Sequence, residues 1–114
     1  GTGPTAFRQA VERANRYLAA GARCAYVPGV ADPDLIAALS REIAGPLNVL
    51  ASERTPAVAE LAALGVARVS TGGALARAAF AFVRRAVVGL RANGSFDVLA
   101  GAIPGEEMDA LSDR

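Results

Sequence analysis

The first twenty residues carry apolar side chains at the spacing of a helix. Between residues 4 and 20, apolar residues from Phe7 to Leu18 fall on one side, and charged residues fall on the opposite side. This stripe predicts a long amphipathic helix. Gly21 follows it, and glycine ends a helix at low cost because the left-handed conformation needed there suits a residue without Cβ.

Three short apolar runs follow, and each is separated from the next by a further helical pattern. They are residues 24–27, 47–50 and 66–70. None of them alternates polar and apolar positions, which is typical of strands in a buried parallel sheet. We therefore predict three parallel strands.

Two of the intervening helices are predicted to begin with a capping side chain followed by proline. Asp32-Pro33 and Thr55-Pro56 both place an oxygen acceptor just before a residue that has no N–H group to satisfy. This combination is typical of a helix N-terminus.

The order of elements is one helix, three strand–helix units and a tail. Short apolar strands that alternate with helices predict parallel strands joined by right-handed crossovers. A closed barrel of eight such units needs about 250 residues. A chain of 114 residues is therefore either a small open α/β sandwich or part of a larger fold.

The last long helix, predicted over residues 74–92, is apolar around most of its circumference. Leu75 and Phe82 belong to one stripe, and Phe80 and Val87 extend the apolar surface beyond it. A helix of this kind usually buries two faces. We expect one face to lie on the sheet and the other to contact a partner. A tail with one more short helix is expected over residues 96–114.

Composition and charge exclude several classes of function. The chain has no His and one Cys, so it cannot build a Ser-His-Asp triad, a His-ligated zinc site or an internal disulfide from its own residues. A net charge of +1 without a basic run argues against nucleic acid as the main partner. The most apolar stretch, residues 72–90, contains three arginines, too many for a membrane-spanning helix. We expect a soluble, cytoplasmic protein without a signal peptide.

Ligands of parallel α/β proteins collect at the carboxyl ends of the strands. Two of these ends hold candidate substrate-binding residues, namely Gly29 after the first strand and Ser70, Thr71, Gly72 and Gly73 after the third. Consecutive glycines at a helix N-terminus let backbone N–H groups approach a phosphate or carboxylate. The alternative is that they only permit a tight turn.

Asn48 lies inside the second predicted strand, where a polar side chain needs a hydrogen-bond partner. If it points into a barrel, it can bind a substrate carboxylate. Bonding to the backbone is the alternative that we favour from the sequence. Cys24 is expected to be a small core residue. Arg68 is not assigned to any candidate site.

Three segments together resemble the isocitrate lyase/phosphoenolpyruvate mutase superfamily, in particular its carboxyphosphonoenolpyruvate mutase and 2-methylisocitrate lyase-like members. Residues 21–33, GARCAYVPGVADP, are similar to the family's "AGAD…FVPG…DP" stretch. Residues 46–50, PLNVL, and 58–70, VAELAALGVARVS, resemble the next two units in order and spacing. The resemblance covers nearly all of residues 5–95.

The resemblance implies an α/β fold in which residues 1–95 are the last three units of a (β/α)8 TIM-type barrel and residues 96–114 are a C-terminal tail. It also implies homo-oligomers, formed here through the helix at 74–92. Family members bind Mg²⁺ and make or break C–C or P–C bonds in small 2-oxo or 2-hydroxy carboxylates and phosphonates. They stabilise enolate-like intermediates with the metal.

The same resemblance places the catalytic centre outside this chain. The family's metal-binding carboxylates and gating loop belong to earlier strands, so no catalytic residue and no metal ligand is assigned here, and the chain alone is expected to be inactive. Gly29 stands where 2-methylisocitrate lyases carry a glutamate, which argues against an isocitrate-type lyase reaction. The alternative function is a non-catalytic α/β module for oligomerisation or anion binding.

Overall fold

The computed structural model describes residues 3–112, in which helices and strands alternate as far as residue 93. In chain order the elements are α1 (Pro4–Ala19), β1 (Ala25–Tyr26), α2 (Pro33–Glu42), β2 (Leu47–Leu50), α3 (Val58–Ala63), β3 (Arg68–Ser70), α4 (Ala74–Asn93), a 3-10 turn (Asp97–Leu99) and α5 (Gly105–Ser112). The residues up to Leu75 and those from Ala76 onward form two compact units.

The three strands form one parallel sheet in the order β1-β2-β3. Ala25 pairs with Leu47 in the first ladder, and Asn48 pairs with Arg68 in the second. The predicted α/β class and the parallel sheet are therefore confirmed. The outer two strands are shorter than predicted. Strand β1 spans only Ala25–Tyr26, and β3 spans only Arg68–Ser70.

Helices α1, α2 and α3 cover one face of this sheet. Ala25 and Leu47 lie in a buried cluster with Ala14 of α1, Leu39 of α2 and Ile43, which directly follows α2. Val49 lies in a second cluster with Ile36 of α2 and Leu61 of α3. Because successive strand residues point to opposite faces, the other face carries the neighbours of these residues.

The start of α2 follows the sequence prediction, whereas that of α3 does not. Asp32 accepts a hydrogen bond from the backbone N–H of Leu35 (2.9 Å), and proline occupies the first turn. Thr55 was expected to cap α3 in the same way, but that helix begins at Val58 after an uncapped Ala57. The Thr55 hydroxyl instead accepts from the backbone N–H of Ser52 (2.8 Å). The prediction was wrong because a local turn uses this side chain.

Asn15 joins the middle of α1 to the end of α2. Its Nδ2 donates to the carbonyl of Glu42 (3.1 Å), and its Oδ1 accepts from the backbone N–H of Ala44 (2.7 Å). Neither backbone group has a partner within the helix, because both lie at its end. The side chain of Asn15 supplies the hydrogen-bond partners that they would otherwise lack.

Replacing Asn15 by alanine is expected to lower the free energy of unfolding by about 1–2 kcal/mol, because two hydrogen bonds are lost and water can replace them only in part. Urea denaturation monitored by circular dichroism measures this. Arg13→Ala on the same helix, where the side chain is exposed, is the control and should change stability by less than about 0.5 kcal/mol. Equal losses for the two variants would contradict the role of Asn15.

The second unit begins inside α4. No residue of α4 is buried, and most of its large apolar side chains are exposed by about half of their surface or more, as for Phe80 (73%) and Val88 (62%). The helix ends at Asn93, and the following Gly94 has a φ of +68°, the left-handed conformation that glycine adopts without strain. The short helix predicted in the tail is present as α5. A domain boundary at residue 95 stays a prediction.

Candidate functional site

The sheet face that α1, α2 and α3 leave uncovered carries the polar strand residues. Tyr26, Asn48 and Arg68 lie side by side across the three strands, as the two registers require. Two residues further along, Leu50 and Ser70 form the next row. Side chains two positions apart share a face, so this arrangement brings an amide, a guanidinium and a hydroxyl together.

Asn48 is the centre of this group. Its side chain is buried, with 3% of the residue exposed. Its Oδ1 accepts a hydrogen bond from Nε of Arg68 (3.0 Å), and its Nδ2 donates to Oγ of Ser70 (3.0 Å). The sequence favoured bonds from Asn48 to the backbone. That interpretation was wrong, since both partners are side chains of the neighbouring strand.

Arg68 is the member of the group that the sequence analysis missed. An isolated arginine at the start of a short strand gave no signal by itself. The available clue was its spacing: Arg68 precedes the candidate Ser70 by two residues and therefore shares its face. The register with Asn48, which the sequence does not state, was the missing information.

Thr71, Gly72 and Gly73 form the turn that joins β3 to α4. The backbone N–H of Ala74 donates to the carbonyl of Thr71 (3.0 Å), and Gly72 has a φ of +51°. A Cβ on Gly72 would lie 3.2 Å from Cδ1 of Leu50, so a larger residue would be both strained and crowded. The tight turn accounts for the glycine at position 72. Because this turn begins directly after Ser70, it lies beside the polar group formed by Asn48, Arg68 and Ser70.

Gly29 belongs to a different set of residues, after the end of β1. It has a φ of +75° and lines an open cavity of about 430 Å³ together with Asp32 and Arg54. It also lines a second, mainly apolar cavity of about 660 Å³, whose walls include Phe7 and Leu39. The structure thus places Gly29 and Arg54 on the walls of the same cavity.

The described residues offer little to a metal ion. Among residues 3–112, no three His, Cys, Asp or Glu side chains come close enough together to hold one. The polar group around Asn48 contains no carboxylate, and hard divalent cations need oxygen ligands such as carboxylates. The residues described here therefore do not form a Mg²⁺ site. No helix in that same part of the chain is long and apolar enough to cross a membrane.

Comparison with solved structures finds the same fold in known enzymes. A candidate lyase/mutase from Burkholderia cenocepacia J2315 superposes with a TM-score of 0.83 at 39% identity, over 95% of this chain and 40% of that chain. Oxaloacetate acetylhydrolase in complex with oxalate superposes with a TM-score of 0.75 at 25% identity, over 93% and 39%. Phosphonopyruvate hydrolase in complex with oxalate and Mg²⁺ gives 0.67 at 28% identity, over 95% and 44%.

Comparison of sequences finds a similar protein and a matching family model. An uncharacterized protein of Mycobacterium tuberculosis strain H37Rv is 48% identical over 62 residues, which are 54% of this chain and 24% of that protein. The chain thus spans about a quarter of the curated relative and about two fifths of the similar structures. The family model described as phosphoenolpyruvate phosphomutase matches residues 2–91. The chain therefore belongs to the phosphoenolpyruvate phosphomutase family, within the isocitrate lyase/phosphoenolpyruvate mutase superfamily.

Proposed function

We propose that residues 1–95 are the last three strand–helix units of a (β/α)8 barrel and that residues 96–114 are its C-terminal tail. The one-sided arrangement of α1, α2 and α3 supports this, since helices cover both faces of an open parallel sheet but only the outside of a barrel. The sheet also has two edges, at β1 and β3, that find no further strand among residues 3–112. In the barrel, further parallel strands occupy both edges.

In this arrangement the polar face becomes the inside of the barrel. Asn48, Arg68 and Ser70 then line the interior, with Ser70 at the carboxyl end of its strand, where barrel enzymes bind their substrates. The buried Asn48, hydrogen-bonded to Arg68 and Ser70 on the face that α1, α2 and α3 leave uncovered, is the observation that carries the proposal, because a face meant only for packing would be apolar. The hydroxyl group of Ser70 is a donor suited to carboxylate or phosphonate oxygens.

The function that fits best is that of a phosphoenolpyruvate mutase/isocitrate lyase-like enzyme. The complete protein makes or breaks C–C or P–C bonds in a small 2-oxo or 2-hydroxy carboxylate or phosphonate. Similar structures hold oxalate, in one case with Mg²⁺. Asn48, Ser70, Thr71, Gly72, Gly73 and Gly29 remain our candidates for the substrate-binding part that this chain contributes. Catalytic residues and the ligands of Mg²⁺ come from the rest of the complete protein, so the chain by itself is inactive.

The complete protein, purified with Mg²⁺ and offered oxaloacetate or phosphonopyruvate, is expected to convert at least one of them. Proton and phosphorus NMR follow the loss of the C–C or P–C bond directly. Addition of EDTA should abolish turnover, and excess Mg²⁺ should restore it. A protein that neither turns over these compounds nor binds oxalate in the presence of Mg²⁺ would contradict the proposed function.

An alternative is a non-catalytic α/β module that serves oligomerisation or anion binding. The exposed apolar side chains of α4 support the oligomerisation part, because surfaces of this kind mark interaction sites. We propose a homo-oligomer through residues 74–92, which is compatible with either function. Turnover in the NMR experiment separates the enzyme from the module.

A further inference from the structure

The contact with Arg68 determines how the amide of Asn48 is oriented. An arginine side chain has only hydrogen-bond donors. The atom of Asn48 that faces Nε of Arg68 at 3.0 Å must therefore be the acceptor, Oδ1. The amide NH₂ group is then directed to Ser70, where Nδ2 lies 3.0 Å from Oγ. Without Arg68, the two ends of the amide could exchange places.

This orientation also fixes the role of the Ser70 hydroxyl. Its oxygen accepts from Asn48, so its single proton remains to be donated elsewhere. Within residues 3–112, the hydroxyl of Ser70 has no hydrogen bond in which it is the donor. Ser70 is half-buried and is the last residue of β3. A half-buried donor without an acceptor at the carboxyl end of a strand is suited to an anionic oxygen of a ligand.

We infer that Arg68, acting through Asn48, positions the Ser70 hydroxyl as a hydrogen-bond donor to a carboxylate or phosphonate oxygen of the substrate. Arg68 is a positioning residue, and Ser70 is the residue that contacts the ligand. The inference rests on the proposed function, since it assigns roles within that site. It requires that two hydrogen bonds keep their direction. Arg68 Nε–H must donate to Asn48 Oδ1, and Asn48 Nδ2–H must donate to Ser70 Oγ.

Binding of oxalate to the complete protein in the presence of Mg²⁺, measured by isothermal titration calorimetry, tests this direction. Ser70→Ala removes the donor and is expected to weaken binding about tenfold or more, as for hydrogen bonds to charged groups. Asn48→Asp has almost the same shape but offers only acceptors. The carboxylate still accepts from Arg68, but it also attracts the proton of Ser70. We expect Asn48→Asp to weaken oxalate binding to a similar extent as Ser70→Ala.

The double variant distinguishes positioning from a general effect of the new charge. If residue 48 acts through the hydroxyl, Asn48→Asp weakens binding in the wild-type background but changes it less than about twofold when Ser70 is already alanine. Arg68→Lys, also a donor-only side chain, should retain affinity within about threefold, whereas Arg68→Met should lose about tenfold. Arg41→Met, on an exposed part of α2, should bind as the wild type does.

Three results would overturn the inference while leaving the proposed function intact. They are unchanged binding in Ser70→Ala, an effect of Asn48→Asp that persists without the hydroxyl, and wild-type affinity in Arg68→Met. If Asn48→Asp does not fold by circular dichroism, Arg68→Met is compared with and without Ser70→Ala in the same way. A wild-type protein that does not bind oxalate contradicts the proposed function itself, and this inference with it.

Discussion

Replacing Ile36 by alanine is expected to lower the free energy of unfolding by about 2–5 kcal/mol. Ile36 is fully buried, with 0% of its surface exposed, and it packs in one cluster with Val49 of β2 and Leu61 of α3. Truncation removes three carbon atoms from the point where two helices meet the sheet. The loss includes both the transfer of those atoms and the cavity that remains. Urea denaturation of the complete protein, followed by circular dichroism, measures it.

Leu35→Ala is the matched control for this variant. Leu35 is the preceding residue of the same helix, has a side chain of the same size and is 37% exposed. Its loss should cost about 1 kcal/mol, because part of the cavity is open to water. If the two variants are equally destabilised, Ile36 does not occupy the junction between α2, α3 and the sheet that the structure assigns to it.

The double variant Phe80→Asp, Val87→Asp is expected to convert the proposed homo-oligomer to monomers. Phe80 is 73% exposed and Val87 is 49% exposed within this chain, and both extend the apolar surface of α4. Two carboxylates on that surface would have to lose their hydration on association, which is strongly unfavourable without a positive partner. Size-exclusion chromatography with light scattering at micromolar concentration gives the mass directly.

Arg84→Asp is the control on the same helix. It introduces the same carboxylate at an exposed position that already carries a charge, and we expect the mass of the wild-type oligomer. A monomeric wild-type protein would contradict association through residues 74–92. So would a double variant that keeps the mass of the wild type.

The elements that the sequence predicted well are those whose limits depend on local chemistry. Asp32 with Pro33 defined the start of α2, because capping needs only residues three apart along the chain. Thr55 with Pro56 offered the same pattern and misled, because the hydroxyl serves a turn with Ser52. A cap and a turn compete for one side chain, and the sequence does not state which one wins.

The candidate site was predictable only in part, for a physical reason. Asn48 attracted attention because a polar residue inside an apolar strand requires a partner. Identifying that partner as Arg68 requires the register between β2 and β3, and parallel strands are joined by long crossovers that leave the register open. Ser70 was predicted from its place at a strand end. Its bond to Asn48 depends on the same register and became visible only in the structure.

The exposure of individual apolar residues depends on tertiary packing in the same way. Leu35 and Ile36 are neighbours in the sequence and similarly apolar, and they follow each other in the first turns of α2. The structure buries Ile36 completely and leaves Leu35 partly open, beside the two cavities that Gly29 also lines. Which apolar residues of an amphipathic helix are fully buried depends on the elements that pack against it.

A crystal structure of the complete protein tests the central claim most directly, since the claim concerns what lies on the two edges and the second face of this sheet. We predict that β1 and β3 each pair with a further parallel strand and that Asn48, Arg68 and Ser70 point into the interior of a closed barrel. A sheet whose edges stay unpaired, or whose Asn48 face is covered by helices as in an open sandwich, would contradict the account.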